Sequence, residues 1–340
     1  MKILYAIQGT GNGHLARAIE LYPIVCQYGE VDILVSGIQG DITLPFPVRY
    51  KLPGLSFIFG KHGGINKWNT FKRLNPFRLI RDIFTLPVSE YDLIINDFEP
   101  ISAWAAKLQQ IPIISLSHQL AVLHPSAPKP FEDDWFGRWV LKNYATQGQG
   151  FGFHFKSFGH NIFTPVIRSQ VRSLPVSDEG HYTVYLPSYD DNTIVKELSV
   201  FESIKWQVFS KHCHEAFEFK NISVRPIEND AFIKSMANST GVLCGAGFET
   251  PAEALFLGKK LLVIPMSGQY EQQCNAACLS TLNVPVIDTL HKKNRNQIAG
   301  WLDNENKVAV NYPDNAEVVI GKVMETYWAS QKGHFTVPTI

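Results

Sequence analysis

The chain has 340 residues, 45 % of them hydrophobic and 18 % charged, with 31 basic side chains balanced by 31 acidic ones. That length argues for more than one core, the apolar share excludes a disordered chain, and neutrality removes the electrostatic footprint of a nucleic-acid binder. Five scattered cysteines fit a reducing compartment, and neither His212-Cys213-His214 nor Cys274 with Cys278 has the paired spacing of a zinc site, so no metal is expected.

Lys2 to Ile7 reads as a short apolar strand. It enters Gly9-Thr10-Gly11-Asn12-Gly13-His14, behind which Leu15, Ala18, Ile19 and Tyr22 recur with helical period. This N-terminus meets glycine before an apolar signal core can form, and no run of about 18 apolar residues follows. The expectation is a cytoplasmic protein with neither a signal peptide nor a spanning helix. Val31–Val35, Val48–Leu52, Leu93–Ile95 and Ile111–Leu116 are further runs of the kind that buried parallel strands show. Between Ile42 and Arg81 lie eight basic residues, Arg49, Lys51, Lys61, Lys67, Lys72, Arg73, Arg78 and Arg81, without one acid and interleaved with large apolar side chains from Phe57 to Phe77. Such a stretch is either a solvated face or a surface for anionic lipid or a phosphate-bearing acceptor. Ser173 to Gly180 reads as a linker. After it, Tyr182–Leu186, Trp206–Phe209, Ser223–Ile227, Gly241–Cys244, Leu261–Ile264 and Val284–Ile287 alternate with helical patterns. Two α/β domains in tandem are expected, over residues 1–172 and 178–313, with a last helix at 314–330 that crosses back onto the first.

Three motifs have chemical content. The first glycine loop lacks the third glycine of the dinucleotide fingerprint, His14 standing in its place, and no ribose-binding acid ends the next strand, which disfavours a nicotinamide cofactor. His14 follows the first strand of an open parallel sheet, where such folds bind ligands, and reads as a base in a cleft. Cys244-Gly245-Ala246-Gly247-Phe248-Glu249-Thr250-Pro251-Ala252-Glu253 follows a strand and opens a helix, leaving backbone N–H groups clear for a diphosphate, with Glu253 one turn further in and suited to hydroxyls. Ser267-Gly268-Gln269-Tyr270-Glu271-Gln272 follows the next strand and offers a carboxylate and an amide to sugar hydroxyls. Asn96-Asp97-Phe98-Glu99 and Ser117-His118-Gln119 each follow a strand of the first domain. Asp97 or Glu99 is placed to orient an imidazole, and His118 to touch donor or acceptor.

The pairing of Gly9 to His14 with Gly245-Ala246-Gly247, Thr250, Glu253, Pro265, Glu271-Gln272 and Asn275-Ala276 resembles a GT-B glycosyltransferase. It is similar to the lipid-linked N-acetylglucosaminyltransferase of peptidoglycan synthesis and to the UDP-glucuronosyltransferases. The resemblance implies two Rossmann-like doubly wound domains facing a cleft, an acceptor-binding N-terminal one and a nucleotide-sugar-binding C-terminal one. It implies a hexosyltransferase, inverting and metal-independent, that uses a UDP-sugar as substrate and needs no cofactor. By that resemblance, His14 with Asp97 and Glu99 carries catalysis. Gly245, Ala246, Gly247, Phe248, Glu249, Thr250, Glu253, Glu271 and Gln272 bind the donor, while Gly11, Asn12, Gly13 and His118 line the acceptor side. The implied acceptor is lipid-linked or a saccharide of the cell envelope, with peripheral contact at the inner membrane face through residues 49–81. Cys244-Gly245-Ala246 departs from the His-Gly-Gly of many relatives, which removes a side-chain donor to phosphate, and Glu271 replaces the more usual Asp. A nucleotide-sugar 2-epimerase or hydrolase on the same fold, and a non-catalytic nucleotide-sugar sensor, are the alternatives.

Overall fold

The computed structural model describes residues 1–37, 42–54, 76–131, 134–145 and 148–333. Lys61, Lys67, Lys72 and Arg73 of the basic stretch, and its apolar side chains from Phe57 to Leu74, lie outside the described residues.

The first sheet contains β1 (Lys2–Gln8), β2 (Glu30–Ser36), β3 (Tyr50–Leu52), β4 (Leu93–Asp97), β5 (Ile113–Ser117), β6 (Gly150–Phe153) and β7 (Ile162–Phe163). They lie in the order β3-β2-β1-β4-β5-β6-β7, all parallel. Ile3 to Ile7 are wholly buried, as a central strand covered by helices on both faces requires. The second sheet contains β8 (His181–Tyr185), β9 (Lys205–Ser210), β10 (Phe217–Phe219), β11 (Ile222–Pro226), β12 (Gly241–Gly245) and β13 (Lys260–Ile264). Its order is β10-β11-β9-β8-β12-β13, parallel except for β10 at the edge. Strand order therefore reverses between β1 and β4 in one sheet and between β8 and β12 in the other. Ligands of doubly wound sheets sit outside the strand ends at those two points.

The helices are α1 (Asn12–Val25), α2 (Pro76–Thr85), α3 (Pro100–Gln109), α4 (His118–Leu123), α5 (Trp135–Tyr144), α6 (Ser169–Arg172), α7 (Asp191–Leu198), α8 (Asn229–Asn238), α9 (Glu249–Phe256), α10 (Tyr270–Thr281), α11 (Arg295–Asp303) and α12 (Ala316–Gln331). Helix α12 packs on α1: Val319, Ile320 and Val323 are fully buried in the same apolar cluster as Leu15, Ala18 and Leu21, and Trp328 meets Tyr28 ring to ring at 6.0 Å. Among the described residues no helix is long and apolar enough to cross a membrane.

One expected strand is absent. Val284–Ile287 makes only an isolated bridge, Val263 to Val286, because Pro285 has no N–H to give a ladder and contributes its carbonyl alone, to Val263 N at 3.2 Å.

Candidate functional site

The two strand-order reversals face each other across a cavity of about 410 Å³. Thr10 to His14 line it from the first domain, and Gly247 to Thr250, Glu253, Glu271 and Gln272 from the second. Arg168, Lys211, Asn229 and Gln269 add to its polar lining.

On the first wall, His14 sits in the first turn of α1 and Asp97 ends β4, the strand beside β1, so the topology alone brings them together. The His14 Nδ1–H donates to Asp97 Oδ1 at 2.8 Å. Arg17, one turn along α1, donates Nε to Asp97 Oδ2 at 3.1 Å and Nη2 to both carboxylate oxygens at 2.8 Å. Burial pushes the Asp97 carboxyl up, but Arg17 and His14 together hold it below the ordinary carboxylate value. For His14, burial pushes the imidazole down, while the charge and hydrogen bond of Asp97 raise it further, leaving it above the ordinary histidine value. An imidazole with Nδ1 fixed on a buried carboxylate has Nε2 directed outward as a base. Gln119 stands at that nitrogen, 3.3 Å away, and donates the same amide group to Glu271 Oε2 at 3.0 Å.

On the second wall, α9 begins at Glu249 with Phe248 as N-cap and no side chain capping it, so its first-turn N–H groups are directed at the cavity end of the helix. Of Gly245, Ala246 and Gly247, only Gly247 lines the cavity; Ala246 is buried and its carbonyl accepts from Asn275 Nδ2 at 3.0 Å. The Gln272 Oε1 accepts from Met266 N at 2.9 Å and so braces the loop after β13.

Several residues stand in places that the sequence did not indicate. Glu99 is no partner of His14: it is fully buried and caps α3, accepting from Ile101 N at 2.8 Å, Ser102 N at 2.6 Å and Ser36 Oγ at 2.5 Å. Phe98 between the two acids has φ 57°, which turns Glu99 away from the direction of Asp97. His118 does not face the cavity. It is 2 % exposed, its ring nitrogens lie 2.7 Å from the Phe153 carbonyl oxygen and from Asn275 Oδ1, and it stacks on Phe248 at 3.9 Å. Phe248, expected at the donor, spends its ring on that contact between the domains. Glu249 accepts from Arg17 Nη1 at 2.7 Å, and Glu253 holds Arg168 in a two-pronged pair at 2.6 and 2.7 Å. Burial raises the Glu253 carboxyl while Arg168 opposes it. Sequence reasoning passed over Arg17, Arg168 and Gln119. Arg17 had a signal, its i, i+3 spacing from His14, which puts both on one helix face; Arg168 sits on an irregular stretch and had none. Among the described residues no group of three or more His, Cys, Asp or Glu side chains is placed to hold a metal ion.

The family model described as Glycosyl transferase family 1 matches residues 1–304. No curated protein matches the chain. Among solved structures, the chain is similar in fold to S. aureus MnaA in a structure with UDP, at 11 % identity over 99 % of this chain and 100 % of that one, with a TM-score of 0.62. A UDP-N-acetylglucosamine 2-epimerase aligns at 13 % identity over 100 % and 99 % of the two chains, with a TM-score of 0.56. The glycotransferase of kitacinnamycin aligns at 14 % identity over 98 % and 97 %, with a TM-score of 0.54. At such identities the likeness is one of fold, the GT-B arrangement of two parallel α/β sheets.

Proposed function

This chain belongs to glycosyl transferase family 1, and from that premise we propose that it moves a sugar from a nucleotide donor of the UDP class to an acceptor hydroxyl, with inversion and without a metal ion. The observation that carries this reading is a cavity-lining His14 held on a buried Asp97, facing the uncapped start of α9 across one cavity. The UDP class is supported by the two fold relatives named for UDP or a UDP-sugar.

In this mechanism Gln119 leaves His14 Nε2 as the acceptor enters. The acceptor oxygen attacks the anomeric carbon, its proton passes to Nε2, and the bond from that carbon to the diphosphate breaks with its electron pair on the diphosphate. Asp97 keeps Nδ1 protonated and stabilises the imidazolium that forms, and Arg17 keeps Asp97 ionised. The amides at Gly247 to Thr250 and the α9 dipole receive the leaving charge. Glu253 takes the ribose hydroxyls, sharing its oxygens with Arg168, and Glu271 with Gln272 takes the sugar.

For the acceptor we favour a lipid-borne one. Phe77, Ile80 and Phe84 lie on one face of α2 and are exposed, with Arg78 and Arg81 beside them, an arrangement suited to an anionic bilayer surface. The test is a panel of nucleotide sugars with and without a polyprenyl-phosphate-linked saccharide, read as release of nucleoside diphosphate and, by chromatography, as conversion of the donor to its epimer. Turnover that needs the acceptor supports transfer. Consumption of donor without acceptor replaces transfer by epimerisation or hydrolysis, and no binding of any nucleoside diphosphate overturns the donor site.

A further inference from the structure

The Arg17 side chain is 3 % exposed and bridges the two walls. Three of its hydrogen bonds run to Asp97, and its Cζ lies 5.4 Å from the centre of the Phe153 ring, so the cation is fixed within the first domain. The bond from Nη1 crosses the cleft to Glu249 Oε1 at 2.7 Å. Asp97 is wholly buried and cannot leave; the Glu249 side chain is 26 % exposed and lines the cavity, so it can. Its carboxylate also presses against Gly13: a Cβ there would fall 2.6 Å from Glu249 Cδ and closer still to Oε2. The carboxylate thus lies between the starts of α1 and α9, neither of which has a side-chain cap, with a buried cation beside it. Both helix dipoles and the cation favour an anion at this place, and the protein supplies its own.

We propose that Glu249 occupies the seat of the donor's diphosphate in the empty enzyme, and that the diphosphate displaces it and takes over Arg17 Nη1, making Arg17 the cation that stabilises the leaving group. The inference rests on the nucleotide-donor reading above and adds to it the partner exchange. Two anions do not share the seat, because like charges at contact distance repel. When the glycosyl bond to the diphosphate breaks, the electron pair left on its terminal oxygen faces a permanently charged guanidinium, which does the work otherwise given to a divalent ion. Once the glycosylated acceptor has left, Glu249 swings back, which expels the diphosphate.

The experiment is calorimetric titration of UDP, GDP, ADP and dTDP, with the matching nucleosides as phosphate-free controls, into wild type, Glu249→Gln and Arg17→Lys, each checked by thermal melting. Glu249→Gln, which removes the internal competitor, is expected to bind the preferred diphosphate at least tenfold more tightly, with nucleoside affinity unchanged. Arg17→Lys, which cannot hold Asp97 and a phosphate together, is expected to lose at least tenfold for the diphosphate alone. Diphosphate affinity unchanged or weakened in Glu249→Gln overturns the exchange while leaving the donor site standing. Binding to neither wild type nor Glu249→Gln overturns the donor site and the exchange together. Should Arg17→Lys fail to fold, the Glu249→Gln result decides.

Discussion

On the wall from the first domain, the cavity-lining His14 is tied to Asp97 and Arg17 in the interior, and each neutralises or aligns the next. On the wall from the second, Glu253 is buried against Arg168, while the carboxylates of Glu249 and Glu271 reach out from the first turns of α9 and α10 beside the amides of a glycine turn and remain partly exposed. Buried charges that compensate each other resist rearrangement, since removing one strands another at roughly 3–5 kcal/mol. Exposed carboxylates on helix starts re-pair at small cost. The contrast assigns geometry-critical chemistry to the first wall and adjustable recognition to the second.

That division breaks most visibly at His14. His14→Ala should cut turnover by about 10²- to 10⁴-fold, the range of general-base contributions, and leave UDP binding intact by calorimetry. Loss of UDP binding in a folded variant would move His14 to the donor wall. Asp97→Asn sharpens the same point through pH. In the proposed role as base His14 works unprotonated, and Asp97 raises its pKa, so wild-type kcat should fall as pH drops through a point above the ordinary histidine value. Without that carboxylate burial dominates, and the acid limb of the profile should move to lower pH. A limb that stays in place would mean that another group titrates.

On the second wall, Glu253→Ala should weaken UDP binding by about 10- to 150-fold, equivalent to roughly 1.5–3 kcal/mol of charge-assisted hydrogen bonding. Unchanged affinity would leave Glu253 only its pairing with Arg168. The smallest effect concerns the outer surface. Arg78→Glu with Arg81→Glu should reduce co-sedimentation with anionic vesicles by about 1 kcal/mol per residue, and high salt should do the same to wild type. Wild type that stays in the supernatant with every lipid at low salt removes the membrane contact.

What the sequence disclosed follows from how local each signal is. The β1 strand and its glycine loop are legible because a short apolar run and a turn composition sit side by side, and His14 with Asp97 follows from knowing that adjacent strands bring their ends together. The strand β6 escaped notice because Gly150-Phe151-Gly152-Phe153 does not read as a strand. Its glycines answer to distant neighbours: a Cβ on Gly152 would come within 2.7 Å of the Ala121 backbone nitrogen. Val284–Ile287 misled for the opposite reason, a good apolar run with a proline inside it. Glu99 carried a readable cue in the following Pro100, the N-cap signature of a helix. The partners Arg17–Glu249 and Arg168–Glu253 are 232 and 85 residues apart, and no local pattern foretells such pairs.

The packing of α12 on α1 bears on how this molecule can be recombined. The helix that carries His14 and Arg17 is buttressed by residues encoded some 300 positions downstream, after every strand of the second sheet. A chimera joined once, within 173–180, would inherit its first half from one parent and that half's outer buttress from the other, with Val319, Ile320 and Val323 meeting a foreign Leu15 and Leu21. Exchanging the second sheet while keeping the first half intact therefore calls for two junctions, one in that stretch and one ahead of Ala316, so that only the intervening segment is replaced.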